Sequence, residues 1–310
     1  MSEYHEPVLL ARVLEYLDPG PGKVIVDATM GGGGHSEALL ERLPGGKLIG
    51  IDQDYDAHLE TATRLSRFSG FVPVRGNFRS LDSLLDGVGV DKVDGILMDL
   101  GVSSHQFDTG ERGFSFRQDA PLDMRMDQSS GTTAADLVGS LDSDELARIF
   151  WEYGEEKYSR RIAGKIVEAR MTKAITTTGQ LADLIRAAVP AQVRYGRIHP
   201  ATKCFQALRI ALNDEITAIE LALAAAARRL NAGGVIAVIS YHSLEDRLVK
   251  TTFRRFQGVC TCPALAPVCK CNPQRLLEVL TRHPVIPDEA EIASNPRARS
   301  AKLRVARRTD

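Results

Sequence analysis

The sequence of 310 residues has no long hydrophobic run and no excess of charge of one sign. A helix that crosses a bilayer needs about 20 consecutive apolar residues. The most apolar stretch, Leu221 to Ala227, stops at Arg228, so we expect no membrane-spanning segment. Because the formal net charge is -1, contact with nucleic acid must come from local basic patches. Met1 to Pro7 lack the apolar core of a signal peptide, and we therefore expect a cytoplasmic protein.

Cysteine is scarce outside one short segment. Four of the five cysteines are Cys260, Cys262, Cys269 and Cys271. Four thiolates this close can hold Zn²⁺ tetrahedrally, but the spacers within each pair are tighter than those of zinc ribbons. Zinc, a disulfide and free thiols all stay open, and we assign no metal ligand.

Short apolar segments that end in polar or glycine residues predict a parallel sheet. The predicted strands are Lys23–Asp27, Lys47–Asp52, Val93–Asp99, Gly234–Ser240 and, more weakly, Phe71–Val74. Helical patterns over Ser36–Arg42 and Tyr55–Phe68 follow the first two strands. Strands that alternate with helices indicate βαβ units, and strands that are continuously apolar indicate a sheet buried on both faces. The sequence therefore predicts a Rossmann-like α/β fold.

The alternation stops after Asp99 and resumes only at Gly234. The intervening sequence predicts helices, over Asp142–Tyr153, Ser159–Met171, Thr178–Val189 and Ala201–Leu230. We interpret residues 1–109 and 216–310 as a core and residues 110–215 as a helical insertion. The alternative is a second domain with no role in the active site.

The segment VIVDATMGGGGHS, Val24–Ser36, is the most informative in the chain. It has the pattern of a strand, a glycine-rich turn and a helix start, and open α/β sheets bind nucleotides at such turns. A plain surface loop would also explain the glycines alone. Asp52 ends the next predicted strand, where an acid accepts hydrogen bonds from ribose hydroxyls. The alternative is that Asp52 and Asp54 only cap the helix that begins near Tyr55.

Two common nucleotide-binding signatures are missing from this turn. No Gly-Lys-Ser/Thr follows the glycines, which excludes a P-loop. A Gly-x-Gly-x-x-Gly fingerprint fits poorly, because Ser36 stands at the third glycine position. Asp27 at the strand end would repel a pyrophosphate, whereas it would attract the ammonium group of S-adenosylmethionine. The residues therefore favour a methyltransferase over a dehydrogenase.

Polar loops follow two later strands. DLGVSSHQ (Asp99–Gln106) and SYHSLED (Ser240–Asp246) are both expected at the carboxyl edge of the sheet, beside the cofactor pocket. Taken singly, His105 or His242 is more often a hydrogen-bonded structural residue than a catalyst.

These segments and others resemble the bacterial 16S rRNA cytosine-N4 methyltransferases, the MraW or RsmH family. The resemblance spans essentially the whole chain. It is carried by HEPVLL (His5–Leu10), DATMGGGGHS (Asp27–Ser36), IDQD (Ile51–Asp54), NF (Asn77–Phe78), DLGVSSHQFD (Asp99–Asp108), RGFSF (Arg112–Phe116), PLDMRMD (Pro121–Asp127), HPATKCFQALRIALNDE (His199–Glu215), SYHSLEDR (Ser240–Arg247) and NPRARSAKLRVARR (Asn295–Arg308).

The resemblance implies an S-adenosylmethionine-dependent methyltransferase core with an inserted helical domain that recognises the substrate. It implies methyl transfer to the exocyclic N4 of one cytidine in 16S rRNA, with 16S rRNA or the small ribosomal subunit as partner. Homodimer formation is left open. The implied S-adenosylmethionine contacts are Gly33, Gly34, His35, Asp52, Phe78, Asp99 and Gln106.

The reaction needs an activated N4, because its lone pair is delocalised into the cytosine ring. Acceptors that bind the amino protons stabilise the positive charge that develops on this nitrogen, and we assign this catalytic role to Asp99. Many amino-methyltransferases use an Asp/Asn-Pro-Pro-aromatic loop here, but Asp99 is followed by Leu100, Gly101 and Val102. We assign Tyr241 to stack on the base and His242 to relay the proton that leaves N4.

Local basic segments predict where RNA binds. They are Arg194–His199, the helix face around Lys157–Lys173, and a C-terminal tail with Arg297, Arg299, Lys302, Arg304, Arg307 and Arg308. A solvated charged end is the alternative for the tail. Two other functions compete: a methyltransferase with a protein or small-molecule acceptor, and a non-catalytic RNA-binding or assembly factor that keeps the fold.

Overall fold

The computed structural model describes residues 7–103, 106–107, 109–129, 131–196, 198–260, 262, 268, 270 and 275–310. His5, His105, Arg197, Cys269 and Cys271, which the sequence analysis named, lie outside these residues. The chain forms two compact units, Met1–Gly101 with Ile216–Asp310, and Val102–Glu215. The second unit begins at Val102 rather than at residue 110, because Val102 already packs on the apolar core of that unit.

The bounds of the regular elements are as follows. The strands are β1 Val24–Asp27, β2 Lys47–Asp52, β3 Phe71–Arg75, β4 Val93–Asp99, β5 Leu230–Ser240, β6 Leu277–Val279 and β7 Lys302–Arg308. The helices are α1 Leu10–Leu17, α2 Gly34–Leu40, α3 Tyr55–Leu65, α4 Leu81–Gly87, α5 Ala134–Ser140, α6 Ser143–Glu152, α7 Ser159–Arg170, α8 Thr178–Ala188, α9 Ala191–Arg194, α10 Ala201–Asn213, α11 Glu215–Arg229, α12 Ser243–Phe256 and α13 Glu289–Ser294.

The first unit is built on a seven-stranded sheet in the order β3-β2-β1-β4-β5-β7-β6. Strands β1 to β5 pair in parallel, whereas β7 is antiparallel to both β5 and β6. Adjacent residues of β1 point into different cores: Val26 packs with residues of α4, α11 and α12, and Ile25 packs with residues of α1 and α2. Both faces of the sheet are therefore buried, which explains the continuously apolar strands. The predicted Rossmann-like α/β fold is confirmed.

The second unit lies in sequence between β4 and β5 and has its own core. Helices α5, α6 and α8 each begin with a capping box, at Thr133, Asp142 and Thr177. A capping box satisfies two otherwise unpaired backbone N–H groups at a helix start. The helices enclose an apolar cluster that includes Phe150, Leu181 and Leu208. Among the described residues, we find no helix both long and apolar enough to cross a membrane.

The prediction of one helix over Ala201–Leu230 is wrong. Asp214 has a left-handed backbone, with φ of 50°, and separates α10 from α11. Asp tolerates this conformation better than most residues do. Two hydrogen bonds of 2.7 and 2.8 Å from the Arg209 guanidinium to the Glu215 carboxylate brace the corner. The predicted strand at Gly234–Ser240 is also longer, because β5 begins at Leu230.

The basic C-terminal segment is not a solvated tail, since β7 occupies most of it. Leu303, Val305 and Ala306 are buried. The Arg304 side chain is 7% exposed, and its Nε lies 2.6 Å from Oδ1 of Asp246. Arg308 Nη1 donates to the carbonyl oxygen of Ala227 at 2.9 Å. The prediction that this segment binds RNA is therefore wrong for Arg304, which stabilises the sheet, and it stays a prediction for the half-exposed Arg308.

We predict that Arg304→Ala destabilises the first unit far more than Arg307→Ala does. Breaking a buried ion pair costs roughly 3–5 kcal/mol, and we expect about 3 kcal/mol because Lys302 Nζ remains 3.4 Å from Asp246. The Arg307 side chain is half exposed and only 4.0 Å from Glu278, so its loss should cost about 0.5 kcal/mol or less. Urea unfolding of the two variants measures the difference. Equal free energies of unfolding would contradict a structural role for Arg304.

Candidate functional site

Three aspartates end strands at the same edge of the sheet. Asp27 ends β1, Asp52 ends β2 and Asp99 ends β4. These strands are parallel neighbours, so their carboxyl ends meet where open α/β sheets bind ligands. The backbone N–H of Asp99 donates to Thr29 Oγ1 at 2.7 Å. This bond ties the end of β4 to the turn that follows β1.

Asp27 shapes that turn from within. Its carboxylate is 1% exposed. Oδ1 accepts a hydrogen bond from Thr29 N at 3.2 Å, and Oδ2 accepts one from Ser36 Oγ at 2.7 Å. Burial raises the pKa of Asp27, and these donors oppose the rise. The suggestion that Asp27 meets a ligand's ammonium group is therefore wrong, since both oxygens are buried against the turn itself.

The glycines of the turn are required by close packing. Gly33 has φ of 74°, and a Cβ atom there would lie 2.4 Å from Thr61 Cγ2 on α3. A Cβ atom on Gly34 would lie 2.6 Å from Pro7 Cγ. His35 follows, with Nε2 3.0 Å from the Val8 carbonyl oxygen and Nδ1 3.7 Å from Asp99 Oδ2. A plain surface loop does not fit these contacts.

Asp52 and Asp54 have different roles. Asp54 caps α3 by accepting a hydrogen bond from Asp56 N at 3.1 Å. Asp52 instead accepts bonds from Gly31 N at 2.7 Å and Asp54 N at 2.8 Å, one on each oxygen. Each carboxylate oxygen has a second lone pair that can accept from a ligand. Burial raises the pKa of Asp52 to about 6, so the group is ionised at pH 7.

Phe78 begins a short 3₁₀-helix, Phe78–Ser80, just beyond β3. Its ring is half-buried against the core that contains α4. Asn77 caps this helix through Arg79 N, at 2.9 Å, and donates from Nδ2 to Gln53 Oε1 at 2.7 Å. The Asn77–Gln53 bond links the ends of β2 and β3, and our sequence analysis assigned neither residue a role. The adjacency of Gln53 to Asp52 and of Asn77 to Phe78 was the available signal.

Tyr241 joins Asp99 across the edge of the sheet. Its hydroxyl donates to Asp99 Oδ1 at 2.8 Å. The ring is partly buried and packs on the core beside Gly101, and the assignment of Tyr241 as a stacking platform stays a prediction. Burial raises the pKa of Tyr241 well above its usual range, as does the charge of Asp99, and the hydroxyl remains a donor.

Asp99 is partly exposed, with 23% of its side chain accessible, whereas the His35 side chain is 8% exposed. Burial raises the pKa of Asp99 to about 6. The charge of His35 and the hydrogen bond from Tyr241 lower it, while Asp27 and Glu245 raise it. Asp99 is therefore a weaker acid than a solvated aspartate.

His242 is the N-cap of α12, in a capping box with Glu245. Its Nδ1 lies 3.4 Å from Glu245 N, and its Nε2 lies 3.1 Å from Glu245 Oε1. Both ring nitrogens thus face Glu245, which favours the structural reading of His242 over the predicted proton relay. Glu245 is fully buried and was missed by our sequence analysis, although His-x-x-Glu has the spacing of a capping box.

Gln106 belongs to the second unit. It is buried, and its Oε1 accepts a hydrogen bond from Ser103 N at 3.1 Å. Its backbone N–H lies 3.2 Å from Ser103 Oγ. Its assignment as a cofactor contact stays a prediction.

A doubly wound sheet with a glycine turn and acids at its carboxyl edge defines a nucleotide-binding α/β protein. The chain belongs to the MraW methylase family, whose family model matches residues 2–309. It is 52% identical to the ribosomal RNA small subunit methyltransferase H of Geotalea uraniireducens, covering 99% of both chains. It is 55% identical to the protein of that name from Geobacter sulfurreducens, again covering 99% of each. An rRNA methylase structure from Streptococcus thermophilus is 12% identical, covers 97% of this chain and 92% of its own, and has a TM-score of 0.43. The predicted family is confirmed.

We predict that Tyr241→Phe raises the pKa of Asp99 above about 6. The Tyr241 hydroxyl stabilises the ionised carboxylate, so removing it favours the protonated form. NMR of the side-chain carboxyl carbon, in protein labelled with ¹³C at aspartate, measures the titration midpoint of Asp99. The resonance that is missing in Asp99→Asn identifies it. An unchanged midpoint in Tyr241→Phe would mean that the hydrogen bond has no effect on Asp99 in solution.

Proposed function

We propose that this protein transfers a methyl group from S-adenosylmethionine to the exocyclic N4 of a cytidine in 16S rRNA. The observation that carries the proposal is a pair of carboxylates, Asp52 and Asp99, that flank a close-packed glycine turn. Both keep oxygen lone pairs that can accept hydrogen bonds from a ligand. The family membership and the shared name of the relatives support small-subunit rRNA as the substrate. Such a substrate would place the reaction in the cytoplasm.

The residues at this edge fit S-adenosylmethionine by charge. The cofactor carries positive sulfonium and ammonium groups, and the strand ends present Asp52 and Asp99. Asp52 would accept from the ribose hydroxyls, and Phe78 would cover the adenine. Gly33, Gly34 and His35 form the turn that precedes and begins α2, and the assignment of Gln106 rests on the family resemblance alone. When bound, the cofactor supplies an electrophilic methyl carbon.

Asp99 is the group we assign to the reacting amine. Oδ1 is held by Tyr241, and Oδ2 faces His35 at 3.7 Å. An ionised Asp99 accepts a hydrogen bond from the amino group and stabilises the positive charge that develops on N4. The protonated acid loses this ability, so turnover should fall as the pH drops below about 6.

Substrate recognition is assigned to the second unit, on a smaller basic surface than the sequence suggested. Arg194 donates from Nε and Nη2 to the carbonyl oxygens of Arg186, Ala187 and Val189, at 3.0 to 3.2 Å, and so caps α8. Arg170 similarly caps α5 through Val138 and Leu141. Both guanidinium groups thus donate hydrogen bonds to helix ends, which weakens the proposal that they bind RNA.

Tyr195 is the stronger candidate for RNA contact. Its side chain is 82% exposed, directly after the Arg194 cap. It borders a cavity of about 300 Å³ that Arg186 and Asp183 also line. An exposed ring suits stacking on an unstacked base, and the Arg186 guanidinium beside it is paired with Asp183 at 3.0 Å.

Methylation of isolated substrates tests the proposed function. Purified protein with labelled S-adenosylmethionine should modify small subunits or 16S rRNA from cells lacking the enzyme, and nucleoside mass spectrometry should find N4-methylcytidine. Asp99→Asn should bind cofactor but turn over slowly. If label is transferred only to protein or to a small molecule, that molecule rather than rRNA is the methyl acceptor. Binding of RNA with no transfer to any acceptor would favour the assembly factor.

We predict that Tyr195→Ala weakens binding of 16S rRNA while Tyr195→Phe does not. Base stacking on an aromatic ring contributes roughly 1–3 kcal/mol per base, which is about 5- to 150-fold in Kd. Phenylalanine keeps the ring and is the matched control. Filter binding at fixed salt measures both, with S-adenosylmethionine affinity as a check on folding. If Tyr195→Ala binds RNA like the unsubstituted protein, the RNA surface lies elsewhere.

A further inference from the structure

We infer that Glu245 is a positioning residue that holds Tyr241 where its hydroxyl orients Asp99. The inference rests on the proposed function, because turnover is its main readout. Glu245 lies on the first turn of α12, and hydrogen bonds connect it to Asp99 through Tyr241. Its charge also raises the pKa of Asp99 directly.

The Glu245 carboxylate makes two kinds of contact. Oε2 accepts from the backbone N–H of Tyr241 at 2.8 Å and from that of His242 at 3.3 Å. Oε1 lies 3.1 Å from His242 Nε2. A capping box requires only the contact with the N-cap residue, His242. The shorter bond, to Tyr241, lies one residue outside the helix and connects the cap to the residue that meets Asp99.

Burial makes this arrangement specific. A fully buried carboxylate is costly unless it accepts hydrogen bonds, and here the donors are the backbone N–H groups of Tyr241 and His242. Tyr241 is thereby held at two points. Glu245 accepts from its backbone N–H, and Asp99 accepts from its hydroxyl at 2.8 Å. A shift of the backbone would move the hydroxyl away from Oδ1 and leave Asp99 free to turn.

A double-mutant cycle tests the inference. Glu245→Ala should lower the single-turnover rate by about 10- to 100-fold, as expected for a catalytic group displaced by about 1 Å. KM for S-adenosylmethionine and rRNA should change by no more than about twofold. In a Tyr241→Phe background, which already lacks the hydroxyl, Glu245→Ala should cost about twofold or less, because residues that act as a unit are not additive.

Two further variants separate positioning from general destabilisation. Glu245→Gln should recover part of the rate, since its amide oxygen can still accept from Tyr241 N although the negative charge is lost. Asp246→Asn is the matched control on the same helix turn. It weakens the pairing with Arg304, and it should lower the free energy of unfolding while leaving turnover close to that of the unsubstituted protein.

The outcomes are distinguishable from failure of the proposed function. If the unsubstituted protein does not methylate rRNA, the proposed function fails first. If it does, and Glu245→Ala costs the same factor with and without Tyr241→Phe, Glu245 does not act through Tyr241. The same conclusion follows if Asp246→Asn, at equal loss of stability, slows turnover as much as Glu245→Ala does.

Discussion

Keeping carboxylates at one edge of a parallel sheet is the constraint on which the rest of the site depends. Asp27, Asp52 and Asp99 repel one another and lose solvation, and burial raises the pKa of each. Donors from the backbone and from side chains offset this cost. Gly31 N, Ser36 Oγ and the Tyr241 hydroxyl are such donors. The glycine turn and the loop after β5 are therefore shaped first by the acids that they must stabilise.

The same requirement divides the acids into two kinds. Asp27 is sealed within the turn, whereas Asp52 and Asp99 keep lone pairs that a ligand can reach. The side chain of Asp54, two residues beyond Asp52, caps the start of α3. Four aspartates at or next to the ends of neighbouring strands thus have separable roles, and burial together with hydrogen-bond partners distinguishes them. Residue type alone does not.

Local pattern predicted the parallel strands of the sheet because both faces are buried and the strands are uniformly apolar. Local pattern did not predict β7 or the break between α10 and α11. β7 alternates Leu303 and Val305 with arginines whose charge suggested a solvated tail, and the partner that buries Arg304 is Asp246, which is distant in sequence. The corner at Asp214 was hidden because the residues on both sides favour helix.

In the candidate site, sequence located the strand ends and the acids but not the contacts that orient them. Tyr241 was expected to offer its ring, and the structure uses its hydroxyl. His242 was expected to move a proton, and both of its nitrogens face Glu245. Such roles depend on which way a side chain turns at the end of a strand, and that direction is set by tertiary contacts.

The place of β7 in the sheet bears on how the protein is made. This strand is translated last of the seven, yet it lies between β5 and β6 and pairs with β5 from Val235 to Ser240. Until it emerges from the ribosome, β5 has an unpaired edge beside the loop that holds Tyr241. β5 can therefore complete its pairing in the sheet only after this last strand has been synthesised.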